Sequence, residues 1–485
     1  VTDVLASLNE WLWNPLVVLA LGLGVLLTIL TRGVQFRRIP DMIRQLRVGQ
    51  GSAAGISSFQ ALTLTLSSRI GVGNIAGVAT AIAAGGPGAL FWMAVMAFLG
   101  GATAFVESTL AQIYKTEAGG KYWGGIPYYI EKGLGRRWLA VVAAGAALVL
   151  YGVLAPGVQS NNIAASVDTA MGVTPWVTGV VVVGLFGFVV LGGRRRIVAV
   201  ADTVVPFMAV GYVVAALVVV AANASAVPSV VGLVLASAFG ADSVFGGIVG
   251  AAVAWGVRRA LFSNVAGVGE GTYGSAAAEV SHPVKQGLVQ SFSIYVDTLF
   301  VCMATGLMIL ITGRYNVQAG DGGALVTNVP GVEAGPAYTQ AAIDSVFAGV
   351  GPHFVALALA LFAFTTLVAF AYIAETSLTY LTRGRQRKGP RTVVHLVMVA
   401  VIFYGSVESA DLVWAIGDVG YASLAWVNMV CLVFLARPAL IALRDYDRQR
   451  RQGLDPRFDP VRLGIPNADF WVASTGEAAR HEVRE

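Results

Sequence analysis

Charge is what this chain has least of. Asp, Glu, Lys and Arg make up 12% of its 485 residues, about half the share of an average soluble domain. That is too little polar surface to cover a water-soluble globule of this length. Soluble enzymes, disordered scaffolds and DNA-binding proteins are excluded on this ground. Cysteine is nearly absent too. Cys302 and Cys431 both fall inside apolar stretches, so no disulfide framework is expected, only two small buried side chains. The four histidines, His282, His353, His395 and His481, have no metal-ligand spacing. The chain begins at Val1, as expected after loss of an initiator or tag.

Apolar length is what the sequence has in plenty. Hydrophobic residues make up 56% and mean hydropathy is +0.72. Stretches of about 20 apolar residues, enough to cross ~30 Å of hydrocarbon as a helix, recur along the chain. Eleven spans are expected, near 15–31, 55–84, 87–114, 138–168, 176–192, 198–222, 243–280 (interrupted), 286–312, 351–381, 391–407 and 420–437. Residues 230–241 are too short to span and read as a re-entrant or interfacial helix. The first run is not a cleaved signal, because Arg32, Arg37 and Arg38 follow it rather than precede it. The expected class is therefore an all-α membrane protein.

Basic residues orient it. Of 32 Lys and Arg, 28 fall on alternate connections: 32–54, 115–137, 193–197, 281–285, 382–391 and 437–485. Arg314 alone lies on the other set, and Arg69, Arg258 and Arg259 lie within spans. This positive-inside pattern puts the N-terminus outside and the C-terminus in the cytoplasm. The net charge of +5 is then a topological signal, and no nucleic-acid partner is expected. The tail, with Arg444, Arg448, Arg450 and Arg451, is expected on the cytoplasmic surface beside anionic lipid. The Gly-rich connection 313–350 reads as a lid or a solvated loop.

Two spans carry glycines and polar residues at mid-depth. One reads Ser67-Ser68-Arg69-Ile70-Gly71-Val72-Gly73-Asn74-Ile75-Ala76-Gly77. The other reads Phe262-Ser263-Asn264-Val265-Ala266-Gly267-Val268-Gly269-Glu270-Gly271. Backbone groups freed in hydrocarbon cost several kcal/mol each unless something satisfies them, so irregular backbone here implies a cavity or a ligand. With the first span set aside, the other ten divide into two sets of five, each opened by an interrupted span. Five is odd, so the second set is inverted. This is the layout of an inverted-repeat secondary transporter with its site between two broken helices. The division is 1–54 (extra helix and loop), 55–222 (first repeat), 223–437 (second repeat) and 438–485 (tail). No strong residue-level repeat stands out, so the symmetry rests on topology. Gly71 to Ala76 also fits a dinucleotide fingerprint, which is rejected because no strand, soluble βαβ unit or following acidic residue accompanies it.

The chemistry follows from that layout. A half-helix starting near Gly73 presents unpaired N–H groups to a substrate carboxylate. Carbonyls near Ile70 suit a cation. Thr365 and Thr366 on a facing span would complete a sodium site, or else bond their own helix. Gln159, with Asn161 and Asn162 in an apolar helix, is expected at the site.

These residues resemble the alanine or glycine:cation symporter family. The likeness is carried by the stretch from Gly71 to Gly88, Phe91-Trp92 with Glu107, Ala260-Leu-Phe-Ser-Asn264 followed by Ala266-Gly267, and His282-Pro-Val-Lys-Gln-Gly287 leading to Asp297-Thr298. It runs in unbroken order over about 15–437. The resemblance implies a LeuT-type core of ten helices, five plus five, after one extra helix. It also implies import of small neutral amino acids, chiefly alanine and glycine, driven by sodium or protons, with no organic cofactor. A monomer is the expected working unit. Carried over by motif, Gly73 and Asn74 receive the substrate, Gln159 contacts it, Phe262 closes over it beside Asn264, and Thr366 and Phe370 line the wall. Ile70, Gly73, Thr365 and Thr366 hold Na+. Two departures stand out. Val265 replaces the usual Glu, with Glu270 five places later, and Arg69 stands where a small or hydroxyl residue is common. A mid-membrane Arg needs a partner, so Arg69 is expected to pair with Glu270 or Glu107, or else to snorkel to the surface. Proton coupling through Glu107, Glu270, Asp297 or Glu375 is the alternative to sodium. A passive channel for a small polar solute is disfavoured, because the polar residues cluster at one depth.

Overall fold

The computed structural model describes residues 2–47, 51–52, 54–319, 323–385 and 388–473. The far end of the tail, with His481, lies outside the described residues, as do positions 320–322 of the 313–350 connection. Helices dominate. Those used below are α1 (Thr2–Leu30), α2 (Ser58–Arg69), α3 (Ala76–Gly85), α4 (Gly88–Ile113), α5 (Arg137–Met171), α6 (Pro175–Leu191), α7 (Gly193–Ala222), α8 (Val227–Ala238), α9 (Val249–Asn264), α10 (Gly271–Ala276), α11 (Pro283–Ile311), α12 (Pro336–Asp344), α13 (Gly351–Leu381), α14 (Lys388–Val407) and α15 (Ala410–Arg451). Among the described residues, eight helices are long and apolar enough to cross a membrane. The segments expected at 55–84 and 243–280 each appear as two shorter helices, and α6 has 17 residues.

Local chemistry sets the boundaries. A capping box starts α2: Gln60 N donates to Ser57 Oγ (3.1 Å) and Ser57 N donates to Gln60 Oε1 (3.2 Å). Pro156 lacks an N–H, and α5 passes it through a π-helical turn at Leu150–Leu154, where Ala155 N reaches Leu150 O at 2.8 Å. Residues 230–241 contribute to the short helix α8, which lies against α4; Trp92 Nε1 donates to Ala238 O at 3.4 Å.

Around the two breaks, α4 and α11 pack side by side as the centre of the bundle, with α2, α9 and α10 against them. The basic connections gather at one end. There Tyr122 bonds Glu279 (2.6 Å), Lys285 pairs with Asp455 (2.7 Å) and Lys132 pairs with Asp469 (3.0 Å). The tail, expected on the cytoplasmic surface, packs against the bundle. α15 runs on to Arg451, and the chain then folds back beneath the bundle. Phe458 N donates to Ser281 O (3.0 Å), and Trp471 Nε1 donates to Gln112 O (2.9 Å). The connection 313–350 holds a strand pair, Asn316–Gln318 with Ala324–Thr327, and α12. α12 packs on α13 and α5, with Gln340 Nε2 donating to Ser166 Oγ (3.1 Å).

Candidate functional site: two broken helices at the centre

The first break is short. α2 ends at Arg69, the chain makes a tight turn over Val72–Asn74, and helix resumes at Ala76. Its freed donors are satisfied by two carboxamides. Gly71 N donates to Asn74 Oδ1 (2.8 Å), and Val72 N donates to Gln159 Oε1 (3.2 Å). Close approach explains the glycines. A Cβ on Gly71 would sit 2.6 Å from Thr366 Oγ1, and one on Gly73 would sit 3.0 Å from Ser263 Cα and 3.3 Å from Phe262 Cδ1. The two breaks therefore touch at Gly73.

The second break is longer and left-handed. α9 ends at Asn264, and Val265, Gly267 and Gly269 have φ of 48°, 87° and 93°. A β-branched residue at positive φ is strained by about 1–3 kcal/mol, so the surroundings must hold Val265 there. Asn264 Oδ1 accepts from Ala266 N (3.0 Å), and Glu107 Oε2 accepts from Gly267 N (3.2 Å). Asn428 Nδ2 bonds both Gly267 O (2.9 Å) and Glu107 (3.2 Å), and Tyr129 OH donates to Asn428 Oδ1.

Asp297 joins the two. It lies on a π-helical stretch of α11, Tyr295–Cys302, a kind of irregularity frequent at functional sites. Its carboxylate accepts from Asn74 Nδ2 (2.7 Å) of the first break, Ser263 Oγ (3.0 and 3.1 Å) beside the second, and Thr298 Oγ1 (2.7 Å). All four residues are buried.

These contacts bring out a repeat that does not stand out in the sequence. Arg69 and Arg259, Asn74-Ile75-Ala76-Gly77 and Asn264-Val265-Ala266-Gly267, and Glu107-Ser108 and Asp297-Thr298 are all 190 positions apart. The contacts cross over. Asp297 of the second half serves the first break, and Glu107 of the first half serves the second. So few matching positions, scattered over so long a chain, leave little pattern until the contacts align them.

The other expected site residues are placed as follows. Phe262 packs between Trp414 (4.9 Å between centroids) and Tyr421 (4.7 Å), and Phe370 lies buried against Tyr151 (5.1 Å). Asn264 Nδ2 bonds Thr298 Oγ1 (3.1 Å). Thr366 Oγ1 donates to Phe362 O of its own helix and to Ser67 O of α2, both 3.0 Å; Thr365 Oγ1 donates to Phe362 O (2.9 Å) and faces Met208. The own-helix bond thus describes both threonines, and Thr366 also ties α13 to the end of α2, next to Ile70.

Arg69 lies within electrostatic reach of its expected partners Glu107 and Glu270, and of Asp297, but not in contact with them. It is fully buried, so it does not snorkel, and it forms no ion pair with Glu270 or Glu107 among the described residues. Its guanidinium turns to α11, where it donates to Ser293 Oγ and Gln290 O (3.3 Å), while its Nε and Nη2 have no hydrogen-bond partner among the described residues. Glu270 is buried beside Ser68 and Tyr151. Glu375 is held by Arg391 (2.9 Å) and His395 (2.7 Å).

One charged cluster was not anticipated. Asp418 of α15 pairs with Arg258 (2.6 Å) and Arg259 (3.1 Å) of α9. Arg259 also lies over the rings of Trp414 (4.5 Å) and Trp255 (5.1 Å), and 5.6 Å from Phe262. The signal was present as two arginines inside an apolar span and an acidic residue just before the last one. This cluster closes over Phe262 at the end of α9. At the basic end the bundle is hollow: a cavity of about 860 Å³ lies between α2, α7, α13 and α14.

The fold and its centre define a multi-pass membrane protein built on discontinuous helices, with buried carboxylates serving the breaks. The chain belongs to the Sodium:alanine symporter family, which matches residues 1–460. It is 56% identical over 470 residues, 97% of each chain, to "Putative sodium/proton-dependent alanine carrier protein YrbD" of Bacillus subtilis (strain 168). It is 50% identical to the sodium/proton-dependent alanine carrier protein of Bacillus sp. (strain PS3), over 89% of this chain and 97% of that one. To the sodium/alanine symporter AgcS of Methanococcus maripaludis it is 35% identical, over 92% and 97%. The protein is a transporter and not an enzyme.

Proposed function

We propose that the chain imports small neutral amino acids, alanine and glycine, by sodium symport through alternating access. The observation that carries this reading is the meeting of the two breaks at Gly73, with Asn74, Ser263 and Asp297 joined there. The donors of Gly71 and Val72 are capped by carboxamides that a substrate carboxylate would displace, and Gln159 and Asn74 then turn to the substrate. Phe262 packs over Gly73 and with Phe370 would restrict the side chain; each added methylene costs only about 1–3 kcal/mol to reject, so some serine would enter. Sodium would sit between the end of α2 and Thr366, using the Ile70 and Gly73 carbonyls and the Thr365 and Thr366 hydroxyls. The eleven-span, five-plus-five LeuT-type layout, with the N-terminus outside and the basic end in the cytoplasm, is part of this proposal. The 190-residue correspondence and its crossed contacts support it.

A second reading, coupling to protons, is favoured by one observation: Glu270 is a buried carboxyl beside Ser68 and Tyr151 that forms no salt bridge among the described residues. Uptake of labelled alanine into proteoliposomes decides. Accumulation under an imposed Na⁺ gradient at equal pH supports sodium symport. Accumulation under a pH gradient alone replaces sodium by protons. No accumulation under either removes the symporter reading.

A further inference from the structure

The charged cluster over Phe262 and the hollow end of the bundle are built from equivalent parts. In the cluster, Arg259 of the second broken helix meets Asp418, which lies eight residues into α15. The repeat that matches Asn264 to Asn74 matches Arg259 to Arg69. α15 is the last long helix of the second half, and its counterpart in the first half is α7. Nine residues into α7 stands Asp202. Arg69 and Asp202 thus repeat that pair by position, yet they are apart. Among the described residues Arg69 Nε and Nη2 and Asp202 Oδ1 have no hydrogen-bond partner, and Asp202 lines the cavity at the basic end. Arg69 is buried and Asp202 half-buried, and a pair matching Arg259–Asp418 would form only in a state in which the two adjoining helices bring them together. α2 packs directly on α7. Arg69 is at the C-terminal end of α2, and its side chain leans back toward the start of that helix, the direction of the cavity.

We propose that Arg69 and Asp202 form the gate at the basic end, pairing when the cavity closes and the Arg258–Arg259–Asp418 gate opens. The two act as positioning residues that set which side is shut, not as substrate ligands. This rests on the alternating-access reading above. Arg69 is not among the residues that line the cavity; Lys121, Arg194, Arg195, Arg385, Lys388 and Arg391 are, and the test must separate Arg69 from them.

The test uses Ala199→Cys, an exposed cavity position one turn from Asp202. Native Cys302 and Cys431 are buried. Labelling by a membrane-impermeant maleimide is followed in detergent-purified full-length protein, with sodium and with potassium. In the reporter background, sodium should slow labelling as the cavity closes. Asp202→Asn should remove that protection, raising the rate in sodium about tenfold, while Asp202→Glu keeps it. Arg69→Gln should behave as Asp202→Asn, and the double variant should be no worse than either single, the mark of one shared interaction. Arg194→Gln should label as the reporter does. Retained protection in Asp202→Asn, additive singles, or Arg194→Gln in place of Arg69→Gln each overturns the assignment. If Arg69→Gln does not fold, the Asp202 and Arg194 arms still decide, since Asp202 Oδ1 has no hydrogen bond to lose among the described residues. Labelling does not depend on substrate. Failure of alanine uptake with sodium protection intact therefore counts against the symporter reading alone.

Discussion

The two breaks share the pattern Asn-[Ile/Val]-Ala-Gly, and each caps one freed N–H with its own Asn, but their second caps differ. At the first, the freed N–H groups rest on neutral carboxamides, Asn74 and Gln159. At the second, Ala266 N likewise rests on a carboxamide, Asn264, but Gly267 N rests on the carboxyl of Glu107, braced by Asn428. Beyond the second break, α4 and the loop after it keep hold of α10 and its exit. Ser275 Oγ donates to Ser108 O (3.0 Å), Gln112 Nε2 to Ser275 O (2.5 Å) and Ala278 O (3.0 Å), and Lys115 Nζ to Ala278 O (3.0 Å). The difference teaches a division of labour: the first break is exchangeable and suits a transient substrate, while the second is pinned.

The sharpest way to break this comparison is at Glu107. Glu107→Ala strands Gly267 N and Asn428 in the core, at about 1–3 kcal/mol for each unsatisfied group. A large fall in melting temperature and loss of uptake are expected, with Glu107→Gln recovering folding because it keeps an acceptor. A Glu107→Ala protein that melts like the parent would show that the second break is not pinned from α4. Next comes Asp297→Asn, which keeps the shape of the link between the breaks but weakens three bonds. Uptake should fall by about 100-fold, equivalent to roughly 2.7 kcal/mol, with a melting temperature close to the parent's. Smaller still is Gln159→Ala. If the first break is exchangeable, KM for alanine should rise about tenfold, near 1.4 kcal/mol, and the melt should fall by less than in Glu107→Ala, since one buried N–H is stranded instead of two groups. A collapse of the melt instead would make Gln159 a fixed cap like Glu107, and the contrast between the breaks would vanish.

The places of both breaks were legible because closely spaced glycines and polar residues at mid-span weaken a helix where hydrocarbon punishes free backbone. Gln159 was legible because a carboxamide in an apolar helix needs a partner. Arg69 was legible as an anomaly but not in its contacts: charge alone suggested Glu270 or Glu107, whereas the guanidinium found Gln290 O and Ser293 on α11. Asp418 was missed because its partners lie about 160 residues earlier, and no local spacing connects them. The way the tail packs was missed for a related reason. Its arginines outweighed Phe458, Phe470 and Trp471, which supply the buried surface.

The gentlest probe of the pinned side is Lys115, where that tail meets the exit of the second break. Its ammonium lies over the rings of Tyr122 (4.3 Å), Phe470 (4.5 Å) and Trp471 (5.2 Å). Burial pulls its pKa from 10.5 down to about 7, against the opposing pull of Glu279 and Glu117. Between those two values the unfolded chain binds the proton and the folded one does not, so stability rises with pH through that window. Below about pH 7 both forms are charged and the full burial cost applies. Lys115→Met removes that cost along with the bond to Ala278 O. Its melting temperature relative to the parent should therefore be highest at about pH 6 and fall steadily toward about pH 9, as the parent sheds its proton and keeps the bond as a neutral amine. Thermal melts of the detergent-purified pair at both values measure it. A difference that does not change with pH would mean that Lys115 is not buried in this seat, and that the second break is less firmly held at its exit than at Glu107.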